Sequence, residues 1–144
     1  ALKAAHIQLK LEVDDIIVNA DQDKIRTVID NLLSNAIKFT PKGGLITIRA
    51  SQTPTSFVLE FGDTGPGIPE EEGPRIFDAF FQGSREQGGQ VGGTGIGLSV
   101  VLECIQAHDG SVELLDTGEF PGAHFRIHIP QNRDVAGQKL AANG

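Results

Sequence analysis

Basic residues are in short supply. Twelve lysines and arginines stand against 19 aspartates and glutamates, a formal net charge of -7. Nucleic-acid binders present a basic face to phosphate, so that class starts at a disadvantage. Cysteine is nearly absent: Cys104 stands alone, so no disulfide forms within the chain and a reducing compartment is open to it. No apolar run approaches the ~18 residues of a membrane-spanning helix, and no signal peptide is visible. The first residue is Ala1 rather than methionine, which reads as a fragment or processed product. Internal repeats are lacking too. Hydrophobic content (39%) and charge (22%) are ordinary, and 144 residues suit one domain with its own core.

Periodicity sets the expected elements. Ile7, Leu9, Leu11 and Val13 alternate with polar residues, which predicts a half-buried strand, and Ile16 to Val18 a second extended piece. From Asp21 to about Phe39 the apolar residues recur at helical spacing, with Asp21 as N-cap and Pro41 and Gly43-Gly44 as the stop. Two strands around Ile46–Arg49 and Phe57–Gly62 make a hairpin across Thr53–Ser56. Asp63 to Gly93 is rich in Gly and Pro, with a short helical patch near Arg75–Phe81 and a glycine-rich loop that suits a lid. A helix from about Thr94 to Ala107 and strands at Ser111–Leu115 and His124–Ile129 complete a domain over residues 1–130. Residues 131–144 read as a loose, flexible tail. The clean alternation implies an α/β fold: a two-layer sandwich with a mixed, mostly antiparallel sheet and helices on one face.

Three stretches carry chemistry. Asn31, Asn35 and Lys38 share one stripe of the first long helix. Carboxamides and an ammonium on a half-buried face need partners, and a hydrated Mg²⁺ on a polyphosphate supplies them. Taken alone, the trio reads better as a solvated face. Asp63-Thr64-Gly65-Pro66-Gly67-Ile68 follows a strand directly, where glycines admit a ligand to the backbone and a carboxylate can accept from an exocyclic amine. A capped Gly-Pro turn explains that stretch alone. Gly93-Thr94-Gly95-Ile96-Gly97-Leu98 opens a helix and offers free amides to an anion. It matches neither the dinucleotide fingerprint nor a Walker loop.

In this order the stretches resemble the sensor histidine kinases of the GHKL superfamily, whose ATP-binding domain has the Bergerat fold with its ATP lid. Asn31 to Phe39 is similar to the family's N box, Asp63 to Ile68 to its first glycine box, Ile76 to Phe80 to its F box and Gly93 to Leu98 to its second glycine box. Gly122 to Phe125 with Pro130 resembles its last strand, and the likeness spans roughly residues 6 to 130. It implies ATP and Mg²⁺ as cofactors. Asn35 would ligate the metal with Asn31 in support, Lys38 would meet phosphate, Phe39 would pack on the adenine and Asp63 would accept from its amino group. Gly65, Gly67, Ile68, Gly93, Thr94, Gly95, Gly97 and Leu98 would shape or line the nucleotide site. Arg85 is a phosphate candidate or a solvated surface residue, and Phe77 and Phe80 would anchor the lid. Catalysis would rest on Asn31, Asn35 and Lys38.

Related ATPases carry Glu at the position of Asn31 as a base for water. An amide lacks that basicity, which tips the reading from ATPase to kinase. A GHKL-type ATPase or a non-catalytic nucleotide sensor is the alternative. His6, His124 and His128 fall on polar strand phases and His108 at a helix end, and none lies in a segment like His-Glu-x-Arg-Thr-Pro. The expected partners are therefore the dimerisation and histidine-phosphotransfer domain of the same kinase and, indirectly, a response regulator. The domain alone is expected to be a monomer and its parent a homodimer. It would work in the cytoplasm, under a parent anchored in the inner membrane. The chain departs from the family's pattern at Gly73-Pro74, at His108-Asp109-Gly110 and at Ala123, where a hydroxyl residue is frequent.

Overall fold

The computed structural model describes residues 6–78 and 97–131. Among them the elements run β1 (Gln8–Val13), α1 (Gln22–Phe39), β2 (Leu45–Gln52), β3 (Ser56–Asp63), a 3-10 helix (Glu70–Arg75), α2 (Gly97–Gln106), β4 (Ser111–Leu114) and β5 (His124–Pro130). The five strands form one sheet in the order β1-β2-β3-β5-β4. Only β1 and β2 pair in parallel, because α1 crosses between them; the other pairs are antiparallel.

Helix α1 starts where expected. The Asp21 carboxylate accepts from the Lys24 amide at 3.0 Å, Asp23 lies in the first turn and Lys38 in the last. Its stripe of Val28, Leu32 and Ala36 is buried. Val101 and Ile105 of α2 join Val28 and Leu32 over Phe57, Leu59, Phe61, Phe125, Ile127 and Ile129 of the sheet. Each such buried side chain contributes about 1.5–3 kcal/mol. The other sheet face carries ions: Arg49 and Arg126 both bond Glu60. The hairpin closes on Thr53, whose hydroxyl accepts from Ser56 N–H at 3.0 Å.

Several expectations need correction. β1 is not half-buried: Leu9, Leu11 and Val13 are 51%, 61% and 58% exposed. They pair with Ile46, Ile48 and Ala50 and so point to the helix side, but on an edge strand that neither helix covers. Ile16 to Val18 is not a strand; Ile16 and Val18 pack on the core while Ile17 is exposed. Of the expected helical patch, Arg75 ends a 3-10 helix that follows Pro69, Ile76 to Asp78 form a turn, and residues 79–81 lie outside the described residues. Gln131 is not loose. It is buried, and its side chain bonds both the amide and the carbonyl of Asn19, tying the end of β5 to the segment before α1. Residues 132–144, and the stretch of 79–96 that holds the expected lid, lie outside the described residues.

Candidate functional site

α1, the end of β3 and the start of α2 carry the expected residues. Asn31 is half-buried; its Nδ2 donates to the Thr27 carbonyl at 2.8 Å, one turn back. Its Oδ1 faces Gly97, close enough that a Cβ there would stand 3.2 Å away. This brings the N-box stretch against the second glycine stretch. Asn35 is half-buried on the same helix and Lys38 is exposed. The Lys38 ammonium lies 4.9 Å from the Phe39 ring centroid, within cation–π range. The Phe39 carbonyl packs against Gly65, joining the end of α1 to the first glycine stretch. Gly67 turns at φ +79, and Ile68 and Leu98 pack at the rim of the core. Phe77 meets Phe125 edge-on at 6.2 Å. Phe80, Arg85, Gly93, Thr94 and Gly95 lie outside the described residues.

Asp63 is firmly held. It ends β3 at 4% exposure, and its Oδ1 accepts from Gly65 N–H at 2.9 Å and from Ala123 N–H at 3.1 Å. Its carbonyl accepts from Gly122 N–H at 2.9 Å, and its own amide donates to the Ala123 carbonyl at 3.1 Å. Gly122 has to be glycine, because a Cβ there would collide with the Asp63 carboxylate. The resemblance marked Gly122 and Ala123 as part of the family's last strand, but sequence reasoning missed that their backbone groups hold Asp63.

Behind Asp63, Arg49 gathers Glu12, Glu60 and Glu119 at 3.0, 2.7 and 2.6 Å. The hydrogen bonds it donates to Glu119 and Glu12 outweigh its partial burial and push its pKa well above the usual arginine value. Glu60 is buried, which alone would raise its carboxyl; the bonds from Arg126 and Arg49 outweigh that and hold it below the usual value. His124, expected on a polar phase, is 2% exposed. Its Nδ1 meets the Thr117 hydroxyl at 3.2 Å and its Nε2 lies 3.8 Å from Glu60. A cavity of about 950 Å³ borders this region. It shares Gly67 and Ile68 with the expected site but none of Asn31, Asn35, Lys38, Phe39 and Asp63.

Residues 20–133 match the family model described as histidine kinase-, DNA gyrase B-, and HSP90-like ATPase. The sensor histidine kinase WalK of Bacillus subtilis is 36% identical over 136 residues, which are 92% of this chain and 22% of that protein. The adaptive-response sensory kinase SasA of a Nostoc species is 40% identical over 89% of this chain and 31% of its own length. The chain thus spans less than a third of these relatives. Among solved structures, the mycobacterial sensor histidine kinase MprB superposes with a TM-score of 0.80 at 26% identity, covering 96% of this chain and 89% of that one. The nucleotide-free catalytic domain of the histidine kinase ThkA reaches 0.76 at 32% identity, covering 90% and 83%. The chain belongs to the histidine kinase, DNA gyrase B and HSP90-like ATPase family, as an ATP-binding catalytic domain of the sensor histidine kinase type.

Proposed function

We propose that this domain binds Mg-ATP and presents its γ-phosphate to a histidine on the dimerisation domain of the same kinase, from which it passes to a response regulator. The observation that carries this reading is Asn31. Its amide is spent on the Thr27 carbonyl and its oxygen faces Gly97, so the residue is a positioned carboxamide without useful basicity. That favours transfer to a ready nucleophile over activation of water. Phosphoryl transfer asks chiefly for positioning and charge stabilisation. Asp63 accepts from the adenine amine, Phe39 packs on the base and Lys38 neutralises phosphate.

The donors at hand suit magnesium. Among the described residues no group of three His, Cys, Asp or Glu could cage an ion. A lone carboxamide oxygen fits a metal that keeps waters and leans on substrate phosphate. Asn35 would hold it, with Asn31 behind, and the ion would supply charge neutralisation on the phosphates. No helix among the described residues is long and apolar enough to cross a membrane. We place the domain in the cytoplasm, where ATP is held, as a monomer when isolated and within a membrane-anchored homodimeric parent.

Calorimetric titration with ATP, with and without Mg²⁺, followed by a phosphate-release assay, tests this reading. Binding strengthened by Mg²⁺ with negligible turnover is expected. Steady turnover would favour the ATPase alternative, and no binding at all would leave a degenerate interaction module.

A further inference from the structure

The loop Leu115–Ala123 between β4 and β5 is fastened to the ion-bearing face of the sheet beside Asp63. Its tip is Phe120. The ring lies flat against Gly62, so that any side chain at Gly62 would overlap three of its atoms. A glycine weakens a strand interior unless something must approach closely, and here it is the Phe120 ring. The edge of His124 meets that ring at 4.8 Å between centroids, and the Arg49 guanidinium covers it at 5.7 Å from its centroid. Arg49 also grips the neighbouring Glu119 at 2.6 Å, and Glu119 N–H donates to the Thr117 hydroxyl at 3.1 Å. The Phe120 ring is thus clasped between Gly62 and Arg49.

Two residues further along come the amides of Gly122 and Ala123, which hold Asp63 at its carbonyl and at Oδ1. Adjacent strand residues point to opposite faces, so Phe120 on the Gly62 side stays clear of a base bound at the Asp63 side chain. Its influence passes through the backbone. We propose that Phe120, clasped by Arg49 and Glu119, is a positioning residue that sets the Asp63 carboxylate for the exocyclic amine of the purine. This rests on the reading of Asp63 as the adenine acceptor. A loosened clasp lets the Gly122 and Ala123 amides drift. The carboxylate then loses its fixed direction, while the phosphate-binding half of the site is untouched.

The test measures dissociation constants by calorimetry for ATP and for purine riboside triphosphate, which lacks the 6-amino group. Wild type, Phe120→Ala, Phe120→Tyr and Glu119→Gln are compared. Wild type should prefer ATP. Phe120→Ala should weaken ATP about tenfold, the scale of one hydrogen bond to a charged acceptor, and the analogue less than about twofold. Glu119→Gln should show the same pattern at about threefold, because a neutral amide still meets Arg49 but without charge assistance. Phe120→Tyr keeps the ring and should keep the preference. Equal weakening of both nucleotides by Phe120→Ala, or a preference intact in both Phe120→Ala and Glu119→Gln, overturns the clasp. If Phe120→Ala does not fold, Glu119→Gln decides alone: an unchanged preference overturns the proposal. A wild type that does not prefer ATP overturns the Asp63 reading and the clasp with it. A wild-type preference that survives loosening overturns only the clasp.

Discussion

Backbone amides orient Asp63. Gly65 N–H and Ala123 N–H both land on Oδ1, so the carboxylate is directed before any ligand arrives. Asp63→Asn keeps an oxygen for those two amides but replaces the other oxygen with a donor, which meets an incoming amine with like polarity. We expect ATP affinity to fall by one to two decades, or about 1.5–3 kcal/mol, with a small change in melting temperature. Unchanged ATP binding by calorimetry would remove Asp63 from the adenine site. Its place at a strand end before glycines was legible; its role came only from the resemblance, since a capped Gly-Pro turn explains that stretch alone. Its holders were not legible. Ala123 lies 60 positions away, and nothing local in Gly122-Ala123 announces that its amides turn toward β3.

Glu60 is where the β-sheet as an element concentrates its charge. It stands mid-strand on β3, opposite Arg49 on β2 and Arg126 on β5, and both arginines bond it. Its pKa is depressed in the folded state, so its contribution is present above the ordinary value of 4.5 and is lost as pH falls through the folded value. Glu12 and Glu119, each depressed by a bond from Arg49, act in the same direction. Glu60→Gln should lower stability near neutrality by about 1–3 kcal/mol, toward the low end because both arginines are about a third open to solvent. Below about pH 4.5 the variant and the parent should converge in a melting-temperature titration. A constant gap down to acid pH would show that Glu60 acts by shape rather than charge. The strands also differ in how much their apolar phase matters. Ile127 in β5 is fully buried while Leu11 in β1 is 61% exposed. Ile127→Ala should cost about 2–5 kcal/mol in denaturant unfolding, and Leu11→Thr no more than about 0.5. An equal cost would mean that β1 is covered. Period-2 alternation reports which residues share a face and not whether anything lies over that face. For this reason β1 was read as half-buried, Ile16 to Val18 was counted as a strand, and the burial of His124 on the ion-bearing face was missed, whereas the remaining strands and the two α-helices follow the order read from the same signal.

Across the whole molecule, the four histidines decide what the chain can do with bound ATP. His108 links the two helices: its Nε2 accepts from Asp21 N–H at 2.9 Å and its Nδ1 meets the Cys104 carbonyl at 2.9 Å. His124 is buried between Thr117, Phe120 and Glu60. His128 faces Val58 and Ser111 across β5, on the sheet face away from the helices that carry Asn31 and Asn35. His6 is exposed at a positive φ of 45, before β1. A nucleophile must stand roughly 3–3.5 Å from the phosphorus, in line with the leaving oxygen. None of these four sits on an element that carries the N-box residues or Asp63. Incubated with γ-labelled ATP, the chain should therefore bind nucleotide without acquiring acid-labile label. Label on any of the four would mean that the domain reaches its own histidine, and the separate dimerisation domain would lose its place as the phosphoryl acceptor.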